Sequence, residues 1–238
     1  MYRRMLKRIL GYGFFWFCFV GAVVASDANV AHPRGPEGSA WSERSIMFKG
    51  DTRNIRLTLA YPKPDDVVDW APANVFDTVA VTRREDTALS LAFLYNGYFW
   101  QGYFGKVRLA AAIRKRQFGT ASWKDIDSFL NQEIRSGIHL SAVSPSDELR
   151  ESEEVWMQPF ISQLNGTPCV QQYVYKGKIP KAITYYSIPF EDNYVLQIEL
   201  SLLDNSTRPG LPPSDWLPRA RVLSDQLISR VKIEVESK

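Results

Sequence analysis

Residues that usually carry chemistry are scarce in this chain. Its 238 residues include only two histidines and two cysteines. His32 and His139 lie too far apart for the His-x-x-x-His or HExxH zinc patterns, and no G-x-S-x-G elbow occurs. His32 falls in a Pro- and Gly-containing lead-in, and His139 follows Ser136-Gly137-Ile138, where a cation meets the negative end of a helix dipole. A Ser-His-Asp triad would have to use His139. Asp65-Asp66-Val67-Val68-Asp69 lacks the glycine and the ligand spacing of a calcium loop and reads as a solvated loop. No metal or other cofactor is expected. Two suitably separated carboxylates among the 26 Asp and Glu would still suffice for a glycosidase.

Charge excess is also missing. The formal net charge is +3, but four of the 29 cations are Arg3, Arg4, Lys7 and Arg8 at the N-terminus. Without residues 1–25 the balance is 25 Lys plus Arg against 26 Asp plus Glu, a net of −1. That excludes nucleic acid as a compositionally supported partner, because tracking phosphates needs clustered cations in clear excess. No internal repeat of fixed period is present.

One hydrophobic run stands out. Ile9 to Ala25 is unbroken by any charge and comes after the four cations. This is the pattern of an export leader: the cations stay on the cytoplasmic side, the apolar segment enters the bilayer, and the rest of the chain is translocated. Val23-Val24-Ala25 before Ser26 resembles a peptidase site, so residues 1–25 are expected to be a signal peptide, with retention as a single-span anchor the other outcome. Phe15, Trp16 and Phe17 place bulky rings where a lipidation box before Cys18 needs small residues, which argues against a lipid anchor. With Cys18 in the leader, Cys169 stands alone in the exported part, so no internal disulfide can form there and the residue reads as a small buried hydrophobe. The expected compartment is periplasmic or otherwise extracytoplasmic, with the membrane touched only through the N-terminal segment.

Residues 26–43, rich in Pro, Gly and Ser, read as a flexible lead-in, and 44–238 as a single domain. Ile55, Leu57, Leu59 and Tyr61 alternate with polar or small neighbours after a Lys49-Gly50-Asp51 turn, the mark of a half-buried hairpin. FDTVAVTRR, ALSLAFLY and KVRLAAAIRKRQ then suggest a meander. Ser122 with Asp125 reads as a capping box for a helix that presents Ile126, Phe129, Leu130 and Ile134 on one face and closes at Gly137. Strands are expected near VWMQPFISQL, PCVQQYVYKG and AITYYSIPF. In the strand after these, Tyr194, Leu196, Ile198, Leu200 and Leu202 face opposite to Gln197, Glu199 and Ser201. Ser214 is a plausible cap for a last helix carrying Trp216, Ala220, Leu223, Leu227 and Val231 at helical spacing. Runs of strands with one central and one closing helix predict an α+β class: an antiparallel β-sheet with helices packed on it.

The helix SWKDIDSFLNQEI, the strand pair around Leu164-Asn165-Gly166 with VQQYVYKG, the strand NYVLQIELSLL and the closing helix ending SRVKIE resemble, in order and pattern, the PsbP-like family. That family includes DcrB-like envelope proteins and small secretion chaperones. The resemblance covers about two thirds of the chain, from about Phe76 on, and implies a PsbP-like sandwich and a non-enzymatic role in binding or assisting other proteins.

Two stretches have the make-up of binding surfaces. In YNGYFWQGYFG, Tyr95, Tyr98, Phe99, Trp100 and Tyr103 crowd among glycines, and large rings offer contact area at small entropy cost. The acidic stretch with Glu148, Glu151, Glu153 and Glu154 projects a local negative field suited to a cationic partner or a basic catalytic cleft. The expectation is a non-catalytic, exported protein-binding protein, in its sharpest form an immunity protein that neutralises a toxic effector enzyme. A carboxylate-using envelope hydrolase acting on glycans and a membrane-anchored assembly factor are the alternatives.

Overall fold

The computed structural model describes residues 30–36, 40–63, 75–80, 88–96, 103–116, 119–136, 154–177, 179–204 and 214–238. Eleven strands and two helices occur among them, in the order β1 (Trp41–Lys49), β2 (Arg53–Pro62), β3 (Val75–Ala80), β4 (Ala88–Asn96), β5 (Tyr103–Lys115), α1 (Ile126–Ser136), β6 (Glu154–Trp156), β7 (Phe160–Leu164), β8 (Thr167–Lys176), β9 (Ile179–Glu191), β10 (Tyr194–Asp204), α2 (Trp216–Ser229) and β11 (Lys232–Ser237).

The strands form two antiparallel sheets. The larger runs β3-β4-β5-β10-β9-β8-β6, with β7 also on β8, and the smaller runs β1-β2-β11. This corrects the expected α+β class with helices packed on one sheet: 62% of the described residues are strand and 17% helix. The physical reason lies in pairing across long sequence separations. β2 zips to the first strand on one side and to the last on the other, with Leu57 opposite both Ile46 and Ile233, so the first hairpin leaves the large sheet and starts a second one. The closing segment SRVKIE is likewise not helix. The helix stops at Ser229, and Lys232–Ser237 continues as β11, where Ile233 and Val235 alternate with charged residues.

Between the sheets lies a continuous core. Phe48, Ile55, Leu57 and Leu59 of the small sheet meet Leu91, Phe93, Leu109, Ile113, Leu196 and Ile198 of the large one, and Trp216, Ala220, Leu223 and Leu227 of α2 complete it. α2 touches β2, β5 and β10. Trp216 is 2% exposed and its ring lies against Gly105, where a Cβ would fall inside the ring's van der Waals contact. Glycine at 105 therefore lets the bulkiest core side chain reach the sheet.

Two smaller devices fix the ends. Asn165 and Gly166 have φ of 49° and 86°, and Leu164 pairs with Thr167, so β7 and β8 join through the two-residue Asn-Gly turn whose twist matches the strands. The Asn165 amide then donates to the carbonyls of Ile228 (2.8 Å), which also accepts from the Val231 N–H, and Val231 (2.6 Å), tying the turn to the end of α2. α1 begins one turn later than a Ser122 cap would place it. The Asp125 carboxylate accepts from the Ser128 N–H at 3.2 Å, whereas Ser122 hydrogen-bonds Asp192 at 2.8 Å. Asp192 also accepts from the Trp123 N–H, and these two bonds hold its carboxyl below the usual carboxylate range.

Residues 30–36, inside the stretch expected to be a flexible lead-in, pair with the domain. Arg34 and Asn96 exchange backbone hydrogen bonds of 2.6 and 2.9 Å, and the Asp215 N–H donates to the Ala31 carbonyl at 3.2 Å. Residues 1–29, which contain the expected leader, lie outside the described residues. Among those described, no helix is long and apolar enough to cross a membrane.

Candidate functional site: the outer face of the large sheet

The even-numbered residues of β10 point into the core, so its odd-numbered residues line the opposite, outer face. Register carries that division across neighbouring strands. Glu199 lies opposite Ala110 of β5 and Tyr185 of β9; Ala110 lies opposite Ser90 of β4, and Tyr185 opposite Gln172 of β8. The adjacent row runs Ala92, Arg108, Ser201, Ile183, Val174 and Trp156. Apart from the arginines of β5, small side chains thus floor the β4–β5 half, and larger polar and aromatic ones rise from β6, β8 and β9.

One end of this face is closed. α1 packs on β7, β8 and β9, burying Phe129 and Leu130. Glu133, itself buried, ion-pairs Arg114 and Arg116, the latter at 3.5 Å, and the Arg116 guanidinium lies 3.7 Å above the Phe129 ring. Burial pulls the Arg116 pKa down, and the Glu133 carboxylate pushes it back up. Arg116 also donates to the carbonyls of Ala121 and Asp192, which binds the approach to α1 onto the sheet. These interactions fix α1 on the sheet, and their role is structural.

The other end is half-open. Trp156 and Tyr185 stack with centroids 5.6 Å apart and planes 5° from parallel. Two ion pairs flank them: Lys176 with Glu154 at 3.3 Å, and Arg108 with Glu199 at 3.4 Å. Arg108 also donates from Nε to the Ser90 hydroxyl at 3.1 Å. Its side chain remains 40% exposed and that of Glu154 39%. Beneath them Ser201 is 2% exposed, and its hydroxyl has no hydrogen-bond partner.

Electrostatics keeps the phenol of this surface protonated. Burial, then the charges of Glu199 and Glu154, push the Tyr185 phenol up to about 12, with Arg108 opposing. It is therefore a neutral hydrogen-bonding group at physiological pH. Cys169, on the core side, is raised by burial to about 11 and so is neither thiolate nor accessible. His32, the one described histidine, lies elsewhere, paired with Asp215 at 2.8 Å. Burial acts to raise the Asp215 pKa, but the His32 hydrogen bond and the Arg219 charge override it and leave the carboxylate below its usual range. Among the described residues no three His, Cys, Asp or Glu side chains gather in a way that could hold a metal ion.

Of the residues singled out in the sequence, Glu154 opens β6 at the half-open end, exposed beside Trp156. Tyr95 is fully buried, 5.8 Å from Trp216 with Arg219 above its ring, and so packs the core instead of offering a ring to a partner. Tyr103 is the first residue of β5, paired with Asn96. Tyr98, Phe99, Trp100, Glu148, Glu151 and Glu153 lie outside the described residues. Sequence reading missed Trp156, Tyr185 and Arg108, although it did assign Gln197, Glu199 and Ser201 to the polar face of β10. Extending that alternation to Tyr185 needed only the register of β9.

Neither family models, nor curated proteins, nor solved structures give any match to this chain. The PsbP-like resemblance therefore remains a matter of sequence pattern, and the sandwich it implied gives way to the two-sheet architecture above.

Proposed function

We propose that the chain is an exported, non-catalytic protein-binding protein, and that its partner is an enzyme whose activity it blocks, as an immunity protein blocks a toxic effector. The carrying observation is the half-exposed Trp156–Tyr185 stack between two loosely held ion pairs. Trp, Tyr and Arg dominate binding hot spots because they present large, stiff contact area together with a polar tip. The Arg108–Glu199 contact at 3.4 Å is long for a charged pair, so each group keeps capacity for a partner's side chain. The leader pattern of residues 1–25 supports placement outside the cytoplasm, and the near-neutral charge of the remainder speaks against nucleic acid.

The test is co-purification of the full chain from its native envelope, in parallel with W156A and with a surface control, Asn131→Ala on the exposed side of α1. A near-stoichiometric companion that is retained by the control and lost with W156A supports the reading, and more strongly if adding the protein inhibits that companion's activity. Equal capture by both variants removes this surface from the proposal. A chain that elutes alone in every case overturns the protein-binding function itself.

A further inference from the structure

We infer that β11 is a docking edge for a second copy of this chain: two β11 strands pair antiparallel about a two-fold axis through Glu234, joining two small sheets into one. Neither the Trp156–Tyr185 surface nor the leader takes part in this contact. A bare sheet edge offers a row of backbone N–H and C=O groups to any strand that fits it.

Three edges can be compared side chain by side chain. β6 and β7 share one side of β8 but are separated by Met157-Gln158-Pro159, which breaks the edge. β1 is nine residues long, but Arg44 stands in the core-facing row that holds Ile46 and Phe48, opposite Leu59. A strand added alongside would have to bury that charge, which blunts the edge. β11 carries neither device. Its register with β2 is regular from Lys232 to Ser237, and its core-facing row is Ile233, Val235 and Ser237. Val235 lies opposite the fully buried Ile55, yet is itself 45% exposed. The apolar core thus runs out to this edge and stops uncovered.

The backbone is oriented for such a pair. Lys238 donates its N–H to the Thr52 carbonyl at 3.1 Å, whereas the Arg53 carbonyl accepts from Gly50 on the β1 side. Even-numbered residues of β2 therefore address β11 and are met there by Lys232, Glu234 and Glu236, so the N–H and C=O groups of Ile233 and Val235 point away from β2. In a two-fold pair centred on Glu234, Ile233 of each copy lies opposite Val235 of the other, and each such pair exchanges two hydrogen bonds.

Charge selects the centre. With Glu234 on the axis, Lys232 of each copy meets Glu236 of the other, an attractive cross-strand pair made twice. Their present partners, Glu43 and Arg56 at 3.0 Å, form exposed surface pairs that a further charge can join. Glu234 meets its own copy, but each lies 3.7 Å from Arg56 Nε. Moving the axis to Val235 sets Glu234 against Glu236 twice and Lys232 against Lys238. Moving it to Ile233 leaves only three residues of each β11 in the pair.

The test is register-specific disulfide cross-linking in the full chain with Cys18→Ser; Cys169 is buried and stays out of the reaction. Mild copper–phenanthroline oxidation is applied to Glu234→Cys, to Lys232→Cys, and to an equimolar mixture of Lys232→Cys with Glu236→Cys. Native envelopes and purified protein are both treated, once melts of the reduced variants match the parent. Two residues 234 would lie about 4.5 Å apart between Cα atoms, within reach of a disulfide, and two residues 232 about 13 Å apart, beyond it. The expected result is a covalent homodimer of E234C about tenfold or more above that of K232C alone, with the mixture recovering most of the difference. No dimer at residue 234, or equal yields at 234 and 232, would overturn the pairing. A cross-link from residue 234 to a different envelope protein, without homodimer, would overturn self-association and give the edge to that chain.

Discussion

The two faces of the large sheet are built from the same strands and do opposite things. The inner face is continuous and apolar, sealed by α2 and the small sheet, and it carries Phe93, Leu109 and Ile198 at essentially no exposure. Among the described residues the outer face is sealed at one end, by α1, where buried Phe129 and Leu130 sit beside the Glu133 ion pairs with Arg114 and Arg116. Its remaining half keeps Trp, Tyr, Arg and Glu side chains in reach of solvent. A buried apolar face stabilises regardless of partner, whereas a half-exposed aromatic stack gains most of its burial only when something else covers it.

If that division is right, damage to the inner face should cost folding and damage to the open half should cost binding. The largest effect is expected for W216A, which removes the central core ring and should lower unfolding stability by about 3–5 kcal/mol; chemical denaturation measures it, and a loss below about 1 kcal/mol would break the comparison. E133A at the sealed end comes next. It leaves the buried Arg116 without the Glu133 carboxylate and should cost about 3 kcal/mol, while E133Q should recover part of that by keeping a hydrogen-bonding group in place. W156A should cost at most about 1 kcal/mol in folding yet weaken partner affinity by about 2 kcal/mol, read by titration calorimetry once a partner is in hand.

Alkaline titration sharpens the same contrast. The raised phenol of Tyr185 means that the unfolded chain gives up this proton more readily than the folded one, so its contribution is intact below about pH 10 and lost as pH climbs toward about 12. Melting temperature should fall through that window, and less steeply in Y185F. Tyr186, raised further by burial on the core side, keeps part of the slope in either protein. The smallest effect belongs to S201A. Its hydroxyl is buried without a partner, so stability should stay the same or rise by about a few tenths of a kcal/mol.

Much of the strand content was legible because period two is a local property. Ile55, Leu57 and Leu59 announce β2, and the alternation of β10 separates its two faces correctly. The start of α1 was nearly legible, off by one turn because Ser122 had a competing acceptor in Asp192, 70 residues away. The division into two sheets was not legible at all. It depends on β2 pairing, on the side away from β1, with β11 about 180 residues downstream and not with β3, the strand that follows it.

The site suffered from a related blindness. Tyr95 attracted attention as one ring in a dense aromatic stretch, but in β4 it shares a face with Leu91 and Phe93, and period two alone would have turned it inward. Trp156 and Tyr185 sit in sequence with no local signal. Their meeting requires β6 and β9 to flank β8 on opposite sides, which is a fact of topology and not of composition.

The pairing of β11 with β2 carries a consequence for timing. A small sheet whose middle strand borders both the first and the last strand cannot be completed until residues 232–237 are available, and Lys238 then reaches back to the Gly50 carbonyl to close the β1–β2 turn. Until that moment one edge of β2 is bare and the inner face of the large sheet lacks part of its cover. The small sheet thus stays unfinished until the strand farthest from it in sequence is in place.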